Sequence, residues 1–214
     1  MSLVNVLFGT GKVRRPEGWL GTAVRLYAAA ISVGVVYNTI FVITDMMGFL
    51  IVFLSAMLVL VFLTVAPTME DRSGRPWLID WALAGLAAAS GLYFWAHLDT
   101  IVQRIALFDP LTPYDMVFGT AILLMTLEAT RRATGLGLLL IVACFLAYNL
   151  FGHHLSGELA HGYIPPDHLI DVTVFTTDGV FGVPLRVAAT YAFLFVLFGT
   201  ALARAGGGDF FYRV

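Results

Sequence analysis

The sequence predicts an all-α, polytopic integral membrane protein: about six transmembrane helices, short interfacial helices in two connections, and both termini in the cytoplasm. Three observations lead there. Apolar residues fill 59% of the 214 positions and charged residues only 12%, whereas soluble domains carry roughly a quarter charged residues. The apolar residues gather into runs of about 17 to 25, the length at which a helix crosses hydrocarbon while satisfying its own backbone hydrogen bonds. The basic residues fall at alternate ends of those runs, as they do when Lys and Arg are retained on the cytoplasmic side.

Residues 1–21 lack a long apolar segment and a small-residue cleavage site, so they read as a cytoplasmic tail before an uncleaved first span. Six spans follow: Thr22 to Ile43, Gly48 to Ala66, Trp77 to Ala96, Tyr114 to Thr130, Gly135 to Phe151 and Leu185 to Ala203. Lys12, Arg14, Arg15 and Arg25 precede or open the first span; Arg72 and Arg75 separate the second and third; Arg131 and Arg132 separate the fourth and fifth; Arg204 and Arg213 follow the sixth. Only Arg104 and Arg186 are left for the other side, where most of the aspartates fall. Trp19, Trp77, Trp81 and Trp95 lie near span ends, the depth that amphipathic rings prefer.

The fourth span poses a problem of length. Its uncharged stretch, Met116 to Leu127, rises only about 18 Å. The helix therefore has to take Glu128 into its last cytoplasmic turn, where an unpaired carboxylate would cost a few kcal/mol. Arg131 at i+3 and Arg132 at i+4 share its face in the favourable acid-before-base order. Positive charge also suits a helix C-terminus, and long guanidinium stems can snorkel to headgroups. Glu128, Arg131 and Arg132 thus read as a structural charge cluster at a hairpin corner that Gly135 closes.

The third span carries overlapping small-xxx-small pairs among Ala84, Gly85, Ala87, Ala88, Ala89 and Gly91, which let a neighbouring helix approach closely. In the outer connections, Ile101, Ile105 and Phe108 fall along one side of one short segment, and Leu169, Val172 and Phe175 along one side of another. That spacing suits helices lying in the interface.

Several functions are excluded or disfavoured. A net charge of −2 gives no electrostatic footprint for nucleic acid. The single cysteine, Cys144, has no mate in the chain and reads as a small apolar residue. The "GTGK" stretch ending at Lys12 lacks the leading glycine of a phosphate loop. Ser90 and His97 lie on one helix with about 10.5 Å of rise between them, too far for base activation of a hydroxyl. The five histidines, His97, His153, His154, His161 and His168, map to outer connections and read as solvated loop residues rather than a metal site. No cofactor is expected.

Four ordered motifs, "LEATRRATG" from 127, "YNLFGHHLSG" from 148, "TTDGVFGVPLRVAAT" from 176 and "FLFVLFGTALARAGGGDFF" from 193, resemble the fused membrane subunit of tripartite ATP-independent periplasmic (TRAP) transporters, of the type associated with TAXI-class binding proteins. The resemblance covers residues 115–211 in detail and the earlier spans in layout only. It implies a permease component in a bacterial inner membrane. There a sodium gradient drives uptake of carboxylate-bearing solutes that a periplasmic TAXI-type binding protein delivers. It also implies a division into a small-subunit-like helical domain at 22–152, a periplasmic connection at 153–184 and the first helix of a large transport domain at 185–214. The expected partners are the bilayer, the remainder of that large domain and the binding protein. Because the family continues where this chain stops, the resemblance implies a fragment that does not transport alone, with the sodium site on helices outside it. Asp178, Arg186 and Thr190 are the candidates for an outer vestibule; Asp178 stands where the family pattern has Glu, Arg186 where it has Gly, and Ala188 where it has Ser. A structural or assembly protein bracing a partner permease is the alternative, and a membrane-embedded enzyme a further one.

Overall fold

The structure is a computed structural model that describes residues 10–68 and 75–205. The expectations placed on Arg72, Arg213 and the start of "GTGK" lie outside the described residues. The described chain is helical, its one β feature an isolated antiparallel bridge between Val13 and Val65. We number the helices α1 (Gly18–Phe41), α2 (Met46–Thr64), α3 (Leu78–Ala96), α4 (Leu98–Gln103), α5 (Pro113–Thr134), α6 (Leu136–Phe151), α7 (Pro166–Val174) and α8 (Val183–Arg204). The last contains a π-helical turn at Ala188–Ala192.

Among the described residues five helices are long and apolar enough to cross a membrane: α1, α2, α3, α6 with the turn that extends it to His154, and α8. This is the signature of a multi-pass membrane protein. The fourth predicted span, α5, is not among these five; it has 22 residues and a length of about 33 Å. Its Asp115, Glu128, Arg131 and Arg132 set it apart from the other five.

The core is a packed trio of α2, α3 and α5. α2 is apolar on all sides and is the most enclosed helix, with 61% of its central window buried, as expected for a helix surrounded by others. On α3, Ala84, Ala87, Ser90, Gly91 and Phe94 are buried, with Gly91 against α2 and Phe94 against Phe175 and Phe181. A Cβ on Gly91 would lie 2.4 Å from Ser55 Oγ, so the two helices touch there nearly backbone to side chain. The small-residue expectation therefore holds for Ala84, Ala87 and Gly91, while Gly85, Ala88 and Ala89 face outwards. A stripe at i, i+3, i+7 makes the contact, and the rest of the small residues are surplus to it.

The flanking helices are barely covered: 17% of the α1 window is buried, and 6% of the windows of α6 and α8. Their apolar side chains face outwards, among them Phe145, Phe195 and Phe198, each at least 65% exposed. All four tryptophans are likewise exposed, the environment of interfacial anchors.

Two expectations need correction. Residues 10–14 are a docked strap, not a free tail: Gly11 donates to Arg132 O (2.7 Å), Arg14 to Thr64 O (2.6 Å), and Ala66 to Lys12 O (2.9 Å). In α7 the buried face is Ile170, Asp171 and Val174, with Val172 exposed. Of the expected interfacial stripe, Val172 is exposed and Leu169 half-buried, but Phe175 is buried, and the inner face is anchored through Asp171, described below. In the other connection Ile101 is buried, but Ile105 and Phe108 are exposed because helix α4 ends at Gln103.

Candidate functional site

The charged residues converge at two places, one at each end of the α3–α5 pair. At the first end, α5 finishes with Glu128, Arg131 and Arg132 on one face. Arg131 Nε donates to Glu128 Oε2 at 2.7 Å and Arg132 Nε to Glu128 Oε1 at 2.7 Å, so both predicted pairs form. Gly135 closes the helix with φ +80°, its N–H on Arg131 O at 2.9 Å, and α6 starts at the next residue. Only a residue tolerant of left-handed φ makes so abrupt a reversal.

The arginines do not snorkel, contrary to the sequence expectation. Arg131 and Arg132 are buried, and they turn inwards because the ends of α2 and α3 offer acceptors there. Arg132 Nη1 donates to Asp80 Oδ1 (2.7 Å) and to Val65 O (3.0 Å), and its guanidinium lies 5.1 Å from the Phe62 ring centroid. Both Nη atoms of Arg131 reach Pro67 O at 3.2 Å. Orphan carbonyls beyond a helix C-terminus are thereby satisfied by a cation, which also suits the dipole.

Asp80 is the hub, and sequence reasoning missed it. Its side chain is 1% exposed. It accepts from Arg132 on Oδ1, and on Oδ2 from Arg14 Nη1 at 2.6 Å and the Trp77 N–H at 3.0 Å. A carboxylate in the first turn of α3 thus caps its own helix and binds two guanidiniums from elsewhere in the chain. Asn38, Asp80, Ser90 and Glu128 are scattered along the sequence, but the fold joins Asp80 and Glu128 through Arg132. The one sequence signal was Asp80 as a lone acid in an apolar run, which calls for a partner.

At the opposite end, Arg104 plays the corresponding part. Its Nη1 donates to Asp171 Oδ1 at 2.7 Å, its Nη2 to Asp171 Oδ2 at 3.3 Å and also to Asp109 O. The Leu107 N–H completes the Asp171 shell at 2.8 Å. Bidentate Arg–carboxylate geometry fixes orientation as well as charge, and here it fastens the 104–109 loop to α7. Close by, Tyr93 Oη of α3 donates to Asp115 Oδ1 at 2.8 Å, while Asp115 and Thr112 form a reciprocal cap at the start of α5. The α3–α5 pair is therefore tied at both ends, by Arg132–Asp80 and by Tyr93–Asp115.

None of the contacts that build the two nodes involves the vestibule candidates. Asp178 is exposed in the connection before α8, its N–H on Thr176 Oγ1 at 3.2 Å. Arg186 is exposed in the first turn of α8, and Thr190, within the π-helical turn, donates to Arg186 O at 2.7 Å. π-turns recur at functional sites; Thr190 lies in one that the sequence did not signal, and Arg186 lies two residues before it starts. A cavity of about 330 Å³ at the Arg104 end is lined by Asp45, Met46, Arg104, Phe175, Thr176 and Thr177. A second, apolar one of about 430 Å³ separates α1 from α2, with Asn38 and Thr44 among its lining.

Ser90 has no hydrogen-bond partner among the described residues, and His97 Nδ1 contacts Tyr93 O at 2.9 Å instead. Among the described residues no group of three or more His, Cys, Asp or Glu side chains is placed to hold a metal ion. No family model, curated protein or solved structure matches the chain.

Proposed function

We propose that the chain is the bracing part of a TRAP-type secondary transporter in a bacterial inner membrane. In this reading α5 also crosses, which makes six crossings with the five long apolar helices, the Arg132–Asp80 end lies in the cytoplasm and the Arg104–Asp171 end in the periplasm. One observation carries it: α2, α3 and α5 form a block cross-tied by a buried ion pair at one end and a part-buried hydrogen bond at the other, while α6 and α8 keep apolar surfaces that are almost uncovered. A stator needs a stiff centre and a broad apolar flank for the moving domain. The charged groups support this role, because they are engaged with one another at helix ends.

Sodium-driven uptake of a carboxylate-bearing solute, delivered by a TAXI-type binding protein, follows from the motif resemblance and completes the proposal. The test is reconstitution with the transport domain and binding protein encoded alongside. Sodium-dependent uptake should fall at least about tenfold in Arg132→Met, a loss of the size expected when a buried charge pair is broken. Solute affinity of the isolated binding protein should not change. Uptake equal to wild type in that variant, or a chain that associates with neither partner, would contradict the reading. A chain that associates stably but lends nothing to uptake would favour an assembly protein instead.

A further inference from the structure

The loop after α6 is held to that helix by a histidine in an unusual position. His161 Nε2 lies 2.9 Å from Tyr148 O, near the end of α6, and its Nδ1 lies 2.6 Å from Gly162 O. Both neighbours are carbonyl oxygens, which only accept hydrogen bonds. A neutral imidazole carries one N–H and would present a bare lone pair to the other oxygen. Only the imidazolium, with N–H on both nitrogens, satisfies both contacts.

The surroundings are built to this ring. Gly152 leaves the space: a Cβ there would lie 2.3 Å from His161 Nε2. The Tyr148 ring stands edge-on at 5.1 Å, and its hydroxyl donates to Leu159 O at 2.8 Å, a second strap from the same helix to the same loop. We propose that His161 is a proton-operated clasp, which holds the 155–163 loop on α6 when the ring is charged and releases it when the ring is neutral.

The direction follows from the contacts. The carbonyls of Tyr148 and Gly162 raise the His161 pKa above its ordinary 6.5. The clasp is therefore complete below that ordinary value and is lost as pH rises through the raised one. The other titratable groups of the region do not duplicate it. The His153 ring lies tilted against His154 with centroids 3.9 Å apart and meets the Tyr163 ring edge-on at 5.0 Å, and its Nδ1 has no hydrogen-bond partner among the described residues. Glu158 is exposed in the clasped loop, and Asp167 and His168 are exposed at the start of α7.

The test uses the full chain in lipid nanodiscs with Cys144→Ser and a spin label on Glu158→Cys. The immobile spectral component should dominate at about pH 5 and fall severalfold by about pH 9, with its midpoint above that of a free histidine. In His161→Gln the pH step should vanish. Tyr148→Phe should loosen the loop at every pH yet keep the step. Histidine-labelled NMR gives a second reading, in which the His161 ring titrates above 6.5. A flat profile in the parent, a step that persists in His161→Gln, or a ring titrating at or below the free value would overturn the proposal.

Discussion

At the scale of single residues, Asp80 is the group on which most depends. Two helices, a strap and a turn meet at one carboxylate, whose partners are Arg14, Arg132 and the Trp77 N–H. Breaking a buried ion pair by neutralising one partner typically costs about 3 to 5 kcal/mol, since it leaves charge behind in a poor solvent. Asp80→Asn should therefore lower unfolding stability in detergent by about that amount, measured by chemical denaturation. Arg132→Lys tests geometry more than charge: an ammonium cannot reach Glu128, Asp80 and Val65 O together from one planar fork. We expect it to recover only part of the stability lost in Arg132→Met. Equal stability of all three variants and the parent would show that the node is not structural.

At the scale of elements, close helix contact and charged anchoring set the arrangement. The α2–α3 contact rests on Gly91 facing Ser55. Gly91→Val should cost about 1 to 3 kcal/mol through overpacking, and Ser55→Gly in the same chain should restore part of it. Gly85→Ala is the control, as no neighbour lies within 4 Å of the added carbon. For α7, Asp171→Asn should leave the Leu107 amide poorly held, and hydrogen exchange there should accelerate by about tenfold or more, the equivalent of one charge-assisted hydrogen bond. No change would mean that the Arg104 clasp does not fasten the loop. The helix boundaries were legible in sequence, because apolar runs and the Gly135 break are local facts. The inner face of α7 was not: the spacing of Leu169, Val172 and Phe175 suggested an interfacial stripe, but Phe175 is buried and Asp171 takes the inner face through Arg104, 67 residues away.

At the scale of the molecule, the charge pattern and the packing agree on a block with two different ends. The Glu128–Arg131–Arg132 cluster was legible from i+3 and i+4 spacing, and its geometry is as expected. Its extension to Asp80 and Arg14 was not legible, because those contacts span 52 and 66 residues and exist only once α3 and α5 lie side by side. The vestibule residues Asp178, Arg186 and Thr190 came from motif resemblance alone, and they contribute to neither node's contacts. The account as a whole requires that the two ends of this block face opposite compartments.

The most direct measurement is cysteine labelling in intact and permeabilised cells, in a Cys144→Ser background. Glu158→Cys and Thr134→Cys flank α6 on either side, and both positions are exposed. A membrane-impermeant thiol reagent should label position 158 from outside, and position 134 only after permeabilisation. Labelling of both from the same side would contradict the threading on which the brace, the orientation and the clasp all rest.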